Sequence, residues 1–248
     1  MVTQVDSGTM THTSAAFFAA FNDIEQHLRS RLNAKNSDSF WWMADRAVER
    51  HILSGKQAET LKDYSNLRNA IAHGRYYDGD PIAEPHPRVV ESIEGLRDLL
   101  TNPPTALRIL GGQDVVVLEP NASISQALSL IAQHDFSQIP IYENGSFLQL
   151  LTTNVITRWV AADLEDNSQL DAVTVREVLA FGEPADRAVF LDRQATAQEA
   201  IDALTDPAKD GTHACAAVMT EHGKKNQSPI RIITPSDLSE LIDAVEWE

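Results

Sequence analysis

The stretch Ile232-Ile233-Thr234-Pro235-Ser236-Asp237 ends one β-type run and opens the last helix of the chain. Branched apolar residues running into threonine, then a proline and an acidic residue, predict a strand that turns directly into a helix N-terminus. Upstream lie a partner strand over residues 214–219 and a loop over 221–228. Before these come a helix carrying Ala200, Ile201 and Leu204 on one face and a short strand at residues 188–191. The order strand, helix, strand, strand, helix also occurs earlier. There a β-type run at 115–118 precedes a helix with Ile124, Ala127, Leu128 and Ile131, and strands at 136–142 and 147–151 flank Asn144-Gly145. A helix from about residue 154 to 162 closes that copy, and its turn reads Leu150-Leu151-Thr152-Thr153-Asn154-Val155. Two copies offset by about 75 residues form an internal repeat, which implies a pseudo-symmetric tandem domain.

The first half follows a different period. Phe17, Phe18, Phe21, Ile24, Leu28 and Leu32 recur every three or four positions, and a second helix is predicted from Asp38 or Ser39 to Ile52. A third runs over 57–73 with Gly74 as C-cap, residues 76–87 read as loop, and a fourth spans about 88–100 before Asn102-Pro103-Pro104. This pattern describes a four-helix bundle followed by a linker. The expected organisation is a lead at 1–13, a bundle at 14–102, a linker at 103–107 and the repeat pair at 108–248, with copies at about 108–165 and 172–248.

Residues 1–104 hold 14 acidic and 11 basic side chains, whereas residues 105–248 hold 22 and 9. So acidic a second half repels nucleic acid and anionic membranes, and any RNA chemistry is expected in the first half. One cysteine, Cys215, excludes an internal disulfide and reads as a small buried hydrophobe. No apolar run approaches the roughly 20 residues of a membrane span, and the expected location is cytoplasmic. The histidines show no metal-ligand spacing, and no phosphate-loop or nucleophile-elbow motif occurs.

Arg68 and His73, with Asn69 between them, sit at the end of the third predicted helix in Arg68-Asn69-Ala70-Ile71-Ala72-His73. Five residues turn through roughly 500°, which points Arg68 and His73 about 140° apart. They converge if the helix frays near Gly74 or if a partner chain supplies the second set.

Two resemblances follow from these residues. The run RNAIAH resembles the R-x4-H signature of HEPN domains, four-helix bundles that often act as metal-independent ribonucleases. That resemblance implies a homodimer in which Arg68 stabilises phosphate charge, His73 serves as general base or acid and Asn69 orients the group. RNA would be the substrate, no metal would be required, and an antitoxin-like protein partner stays unknown. The repeat resembles the CBS module, two of which pack into one disc and commonly bind adenine nucleotides. Its strand ending h-h-T-x-x-D matches Thr234 and Asp237, where a hydroxyl and a helix N-terminus can hold phosphate and a carboxylate can accept ribose hydroxyls. In the first copy Thr152 is present, Val155 stands at the acidic position and Asn154 lies one place early. Ile139, Pro140 and Ile141 match the strand beside the adenine pocket, while Gln149 and Arg231 replace the usual strand glycine.

The fold expectation is therefore a two-domain α+β chain: an N-terminal four-helix HEPN-like bundle, then a C-terminal pair of β-α-β-β-α CBS modules. Two functions stay open. One is a metal-independent endoribonuclease regulated by ATP, ADP or AMP, with Arg68, Asn69 and His73 catalytic and Ile139, Pro140, Ile141, Thr152, Asn154, Thr234 and Asp237 binding nucleotide. The other is a non-catalytic adenine-nucleotide sensor or dimerisation protein.

Overall fold

A computed structural model of the chain describes residues 13–73, 76–77, 80–81, 83–167, 170–171 and 173–246. The chain divides into two compact units, one within Met1–Pro103 and one at Pro104–Glu246.

The first unit is mainly helical. α1 (Thr13–Leu32) buries Phe17, Ala20, Phe21, Ile24, Leu28 and Leu32, the face set by their three-and-four spacing. α2 (Phe40–Glu49) starts at Ser39, whose Oγ accepts the Trp42 N–H at 3.2 Å. α3 (Gly55–His73) supplies Ala58, Leu61, Tyr64 and Ile71 to the same core. Gly74, the expected C-cap, lies outside the described residues. β1 (Tyr76–Tyr77) and β2 (Asp80–Pro81) then pair antiparallel where the sequence predicts loop. Two-residue strands are too short to leave a period in the sequence.

α4 (Pro87–Thr101) begins with proline at its first turn, where no N–H is missed, and with the His86 ring accepting the Arg88 N–H. It buries Val90, Ile93 and Leu96. Phe17 meets Tyr64 edge to face at 5.8 Å, and the Tyr64 hydroxyl bonds Ser92 Oγ at 2.8 Å, which ties α1, α3 and α4 together. Full burial of each large apolar side chain contributes about 1.5–3 kcal/mol. Trp41 and Trp42 both stay outside this core, 48% and 46% exposed.

The second unit is mixed α and β. α5 (Ala106–Leu110) leads into the first copy: α6 (Ile124–His134), β3 (Gln138–Glu143), β4 (Ser146–Thr152) and α7 (Thr153–Asn167). Asn144 and Gly145 both take positive φ, 50° and 78°, as a two-residue hairpin demands. α8 (Val175–Leu179) leads into the second copy: β5 (Ala188–Leu191), α9 (Ala197–Thr205), β6 (Ala216–Thr220), β7 (Pro229–Ile233) and α10 (Leu238–Val245). Short 3-10 turns at Pro184–Asp186 and Pro235–Asp237 precede β5 and α10.

β5 runs parallel to β6, which pairs antiparallel with β7. The matching strand of the first copy, expected at 115–118, shrinks to one bridge between Leu118 and Ile141. Val115 and Val116 are half-buried, Val117 is 40% exposed, and of the run Leu118 alone joins the core.

The copies interlock through their leading helices. α5 packs into the core of the second copy, with Ala106 fully buried, and Val175, Val178 and Leu179 of α8 pack into the core of the first. Backbone bonds repeat the exchange: Ala106 N–H to Ala195 O at 2.9 Å and Ala197 N–H to Pro104 O at 2.8 Å. In the other copy, Ile124 N–H reaches Val173 O at 3.0 Å and Val175 N–H reaches Ala122 O at 2.9 Å. The sheets are also joined, by an edge-to-face contact of Phe147 with Phe190 at 5.0 Å and by Phe147 N–H to Lys225 O at 2.8 Å.

Candidate functional site

The two strand-to-helix turns are built differently. In the second copy, Asp237 Oδ2 accepts the Thr234 N–H at 2.7 Å and the Thr234 hydroxyl at 3.1 Å, while Asp237 Oδ1 accepts Arg231 Nη2 at 3.1 Å. Thr234 Oγ1 and Ser236 Oγ lie 2.6 Å apart. The Arg231 and Asp237 side chains remain 14% and 19% exposed, so water reaches this turn. It gathers a guanidinium, a carboxylate and two hydroxyls at the start of α10, a set suited to a phosphate beside a sugar diol.

The first copy is sealed. Thr152 Oγ1 donates to Asp186 Oδ1 at 2.7 Å and accepts the Val155 N–H at 3.1 Å. The other Asp186 oxygen accepts Arg158 and the Glu183 N–H, and Arg158 Nε donates to Phe181 O at 2.9 Å. Thr152 and Asp186 are 5% and 3% exposed. Burial alone would raise the Asp186 pKa, but the bonds from Thr152, Glu183 N–H and Arg158 outweigh it and hold the carboxyl below its ordinary value.

Sequence reasoning brings Thr234 and Asp237 together and places Thr152 correctly on its strand end, but Asn154 sits exposed and apart from Thr152 at the start of α7. Ile139 and Ile141 lie in the core of the first copy, and Pro140 is buried between them in sequence on the alternate side of β3. Asp186, Arg158 and Ser236 are residues the sequence reading missed. A signal was present: Glu183-Pro184-Ala185-Asp186 and Thr234-Pro235-Ser236-Asp237 share Pro-x-Asp, and both fold as 3-10 turns closed by the aspartate.

A cleft of about 470 Å³ opens elsewhere in the second copy, lined by Phe190, Asp192, Glu199, Asp202 and His222. Its three carboxylates repel phosphate, and no motif residue lines it. Among the described residues no cluster of His, Cys, Asp and Glu has the arrangement to hold a metal ion, and no helix is long and apolar enough to cross a membrane.

In the first unit, Arg68 is half-buried on α3, its Nη1 donates to Asn69 Oδ1 at 3.2 Å, and its buried Nε has no partner. Asn69 is exposed. His73 ends α3, and its side chain lies outside the described residues.

Comparison with known proteins places a CBS domain at residues 111–162. No curated protein matches the chain. Among solved structures, CBSX2 in complex with AMP is 12% identical, covers 57% of this chain and 95% of its own, and superposes with a TM-score of 0.40. The CBS domain of a bacterial CNNM/CorC family Mg2+ transporter in complex with ATP is 19% identical, with 64% and 97% coverage and a TM-score of 0.38. A CBS-domain protein from Agrobacterium tumefaciens is 18% identical, with 54% and 86% coverage and a TM-score of 0.38.

Proposed function

We propose that this protein is a regulatory sensor of adenine nucleotide, and that AMP, ADP or ATP binds at the turn of the second copy. The observation that carries this reading is the water-reachable Arg231–Asp237 pair beside the Thr234 and Ser236 hydroxyls, in a unit that contains a CBS domain. A phosphate would take Arg231 and the hydroxyls, and the ribose would take Asp237. The first copy would bind nothing, because Asp186 and the Val155 N–H already engage the Thr152 hydroxyl and Arg158 engages Asp186. One nucleotide per chain is expected.

Thermal denaturation tests the proposal. Nucleotide at 100 times its dissociation constant stabilises the native state by about 2.7 kcal/mol. For a chain of this size that raises Tm by roughly 5–10 °C. Asp237→Asn should abolish the shift, and no shift in wild type with any adenine nucleotide would overturn the proposal.

Arg68 favours a second reading for the first unit. Among the described residues it forms no ion pair and is held only by the exposed Asn69, which leaves its guanidinium free for a phosphodiester. In this reading the unit is a metal-independent endoribonuclease acting as a homodimer through Arg68, Asn69 and His73. Cleavage of an RNA pool in EDTA, lost in Arg68→Ala and His73→Ala, is the result it requires. A preparation that leaves RNA intact excludes it.

A further inference from the structure

Arg231 does more than face Asp237. Its Nη1 donates to Leu110 O at 2.6 Å and Gly111 O at 3.1 Å, while its Nη2 holds Asp237. One guanidinium thus joins the last helical turn of α5 to the carboxylate at the start of α10. The same stretch is fastened again by Gln113, whose Oε1 accepts the Ile232 N–H at 3.0 Å. β7 is the edge strand of its sheet, so this side-chain bond occupies a donor that would otherwise face water. This stretch also carries the crossing between copies. α5 packs into the second copy, whereas Leu118, seven residues beyond Gly111 in the sequence, pairs with Ile141 in the first.

We infer that Arg231 is a ligand-released latch: a nucleotide bound at Thr234, Ser236 and Asp237 draws Arg231 off the Leu110 and Gly111 carbonyls and frees residues 110–117. This rests on the nucleotide reading of that turn and adds its regulatory output. Three of the five guanidinium donors hold the two carbonyls and the carboxylate, and the Nε donor is buried without a partner. A phosphate at this turn therefore competes with the Leu110 and Gly111 carbonyls for Nη1. A phosphate bears more charge than an amide carbonyl and forms the stronger bond, so the carbonyl bonds are the ones exchanged. Gly111 takes φ +74°, and a Cβ there would meet nothing within 4 Å, so its neighbourhood is open for the movement. Arg231 stands where the CBS resemblance expects glycine, which makes the latch a feature of this chain's own departure.

Amide hydrogen exchange on the full chain tests it, with AMP and ATP as probes and calorimetry on the same samples. In wild type, nucleotide should speed exchange at Gly111, whose N–H bonds Leu107 O, and at Ile232 by about tenfold, equivalent to about 1.4 kcal/mol. Arg231→Ala should show the faster exchange without ligand, and nucleotide should add no further change. Binding by calorimetry without altered exchange overturns the latch and leaves the nucleotide site standing. Absence of binding overturns the site and the ligand control together. Exchange at Gly111 and Ile232 as slow in ligand-free Arg231→Ala as in wild type overturns the latch whatever the ligand does.

Discussion

Thr152 donates its hydroxyl proton to Asp186 across 2.7 Å, and the two residues lie 34 positions apart in the chain. Asp186 thereby supplies to the first copy the carboxylate that Val155, fully buried in the core, cannot. The second copy holds its carboxylate three residues from its threonine and within reach of water. This asymmetry turns one repeat into a strut and leaves the other as a site. Removing Asp186 should therefore be costly. Asp186→Ala leaves the buried Thr152 hydroxyl and the Glu183 N–H without their acceptor, while the part-exposed Arg158 keeps Phe181 O and Glu183. It should destabilise the protein by about 1–3 kcal/mol, read from urea denaturation midpoints. A loss below about 1 kcal/mol would mean that water replaces the carboxylate.

The same carboxylate fixes a pH dependence. Its folded pKa lies below the unfolded value of about 3.9, so its contribution is complete above that value and disappears as pH falls through the folded pKa. The difference in urea midpoint between wild type and Asp186→Asn should stay constant from about pH 7 to 5 and shrink below about pH 4. A difference that grows on acidification would reverse the sign of this account.

Tyr142 is 6% exposed, its hydroxyl finds no partner among the described residues, and burial pushes its pKa up to about 12. An unpaired buried hydroxyl costs about 1–3 kcal/mol, so Tyr142→Phe should raise stability. Its ring would keep the edge-to-face contact with Phe147. A clear loss of stability in thermal unfolding would show that the hydroxyl is satisfied in solution.

Cys215 should be a poor nucleophile. Burial, then the nearby charge of Asp186, push its thiol pKa up to about 11. At pH 8 roughly one thiol in a thousand is ionised, so alkylation should be slow natively and fast in urea. Native labelling as rapid as that of a small thiol would contradict the structure.

Much of the fold is legible locally. The phenylalanine spacing of α1, the Asn144-Gly145 turn and the repeat of strand, helix, strand, strand, helix each leave a mark within a few residues. The leading helices α5 and α8 leave less, because five residues cannot display a helical period. Their shared pattern, Thr105-Ala106-Leu107-Arg108-Ile109-Leu110 against Thr174-Val175-Arg176-Glu177-Val178-Leu179, appears only once the repeat is known. Asp186 was hidden for a different reason. Its partners come from β4 and α7, and contacts across that separation leave no spacing to read. Val115, Val116 and Val117 misled in the opposite direction: none of the three is fully buried, and pairing with the first copy's sheet begins only at Leu118.

The most direct test of the central claim is a calorimetric titration of AMP and ATP into the full chain and its Asp237→Asn variant. One site per chain is expected in wild type and none in the variant. Two equal sites, binding unaffected by Asp237→Asn, or no heat with either nucleotide would contradict it.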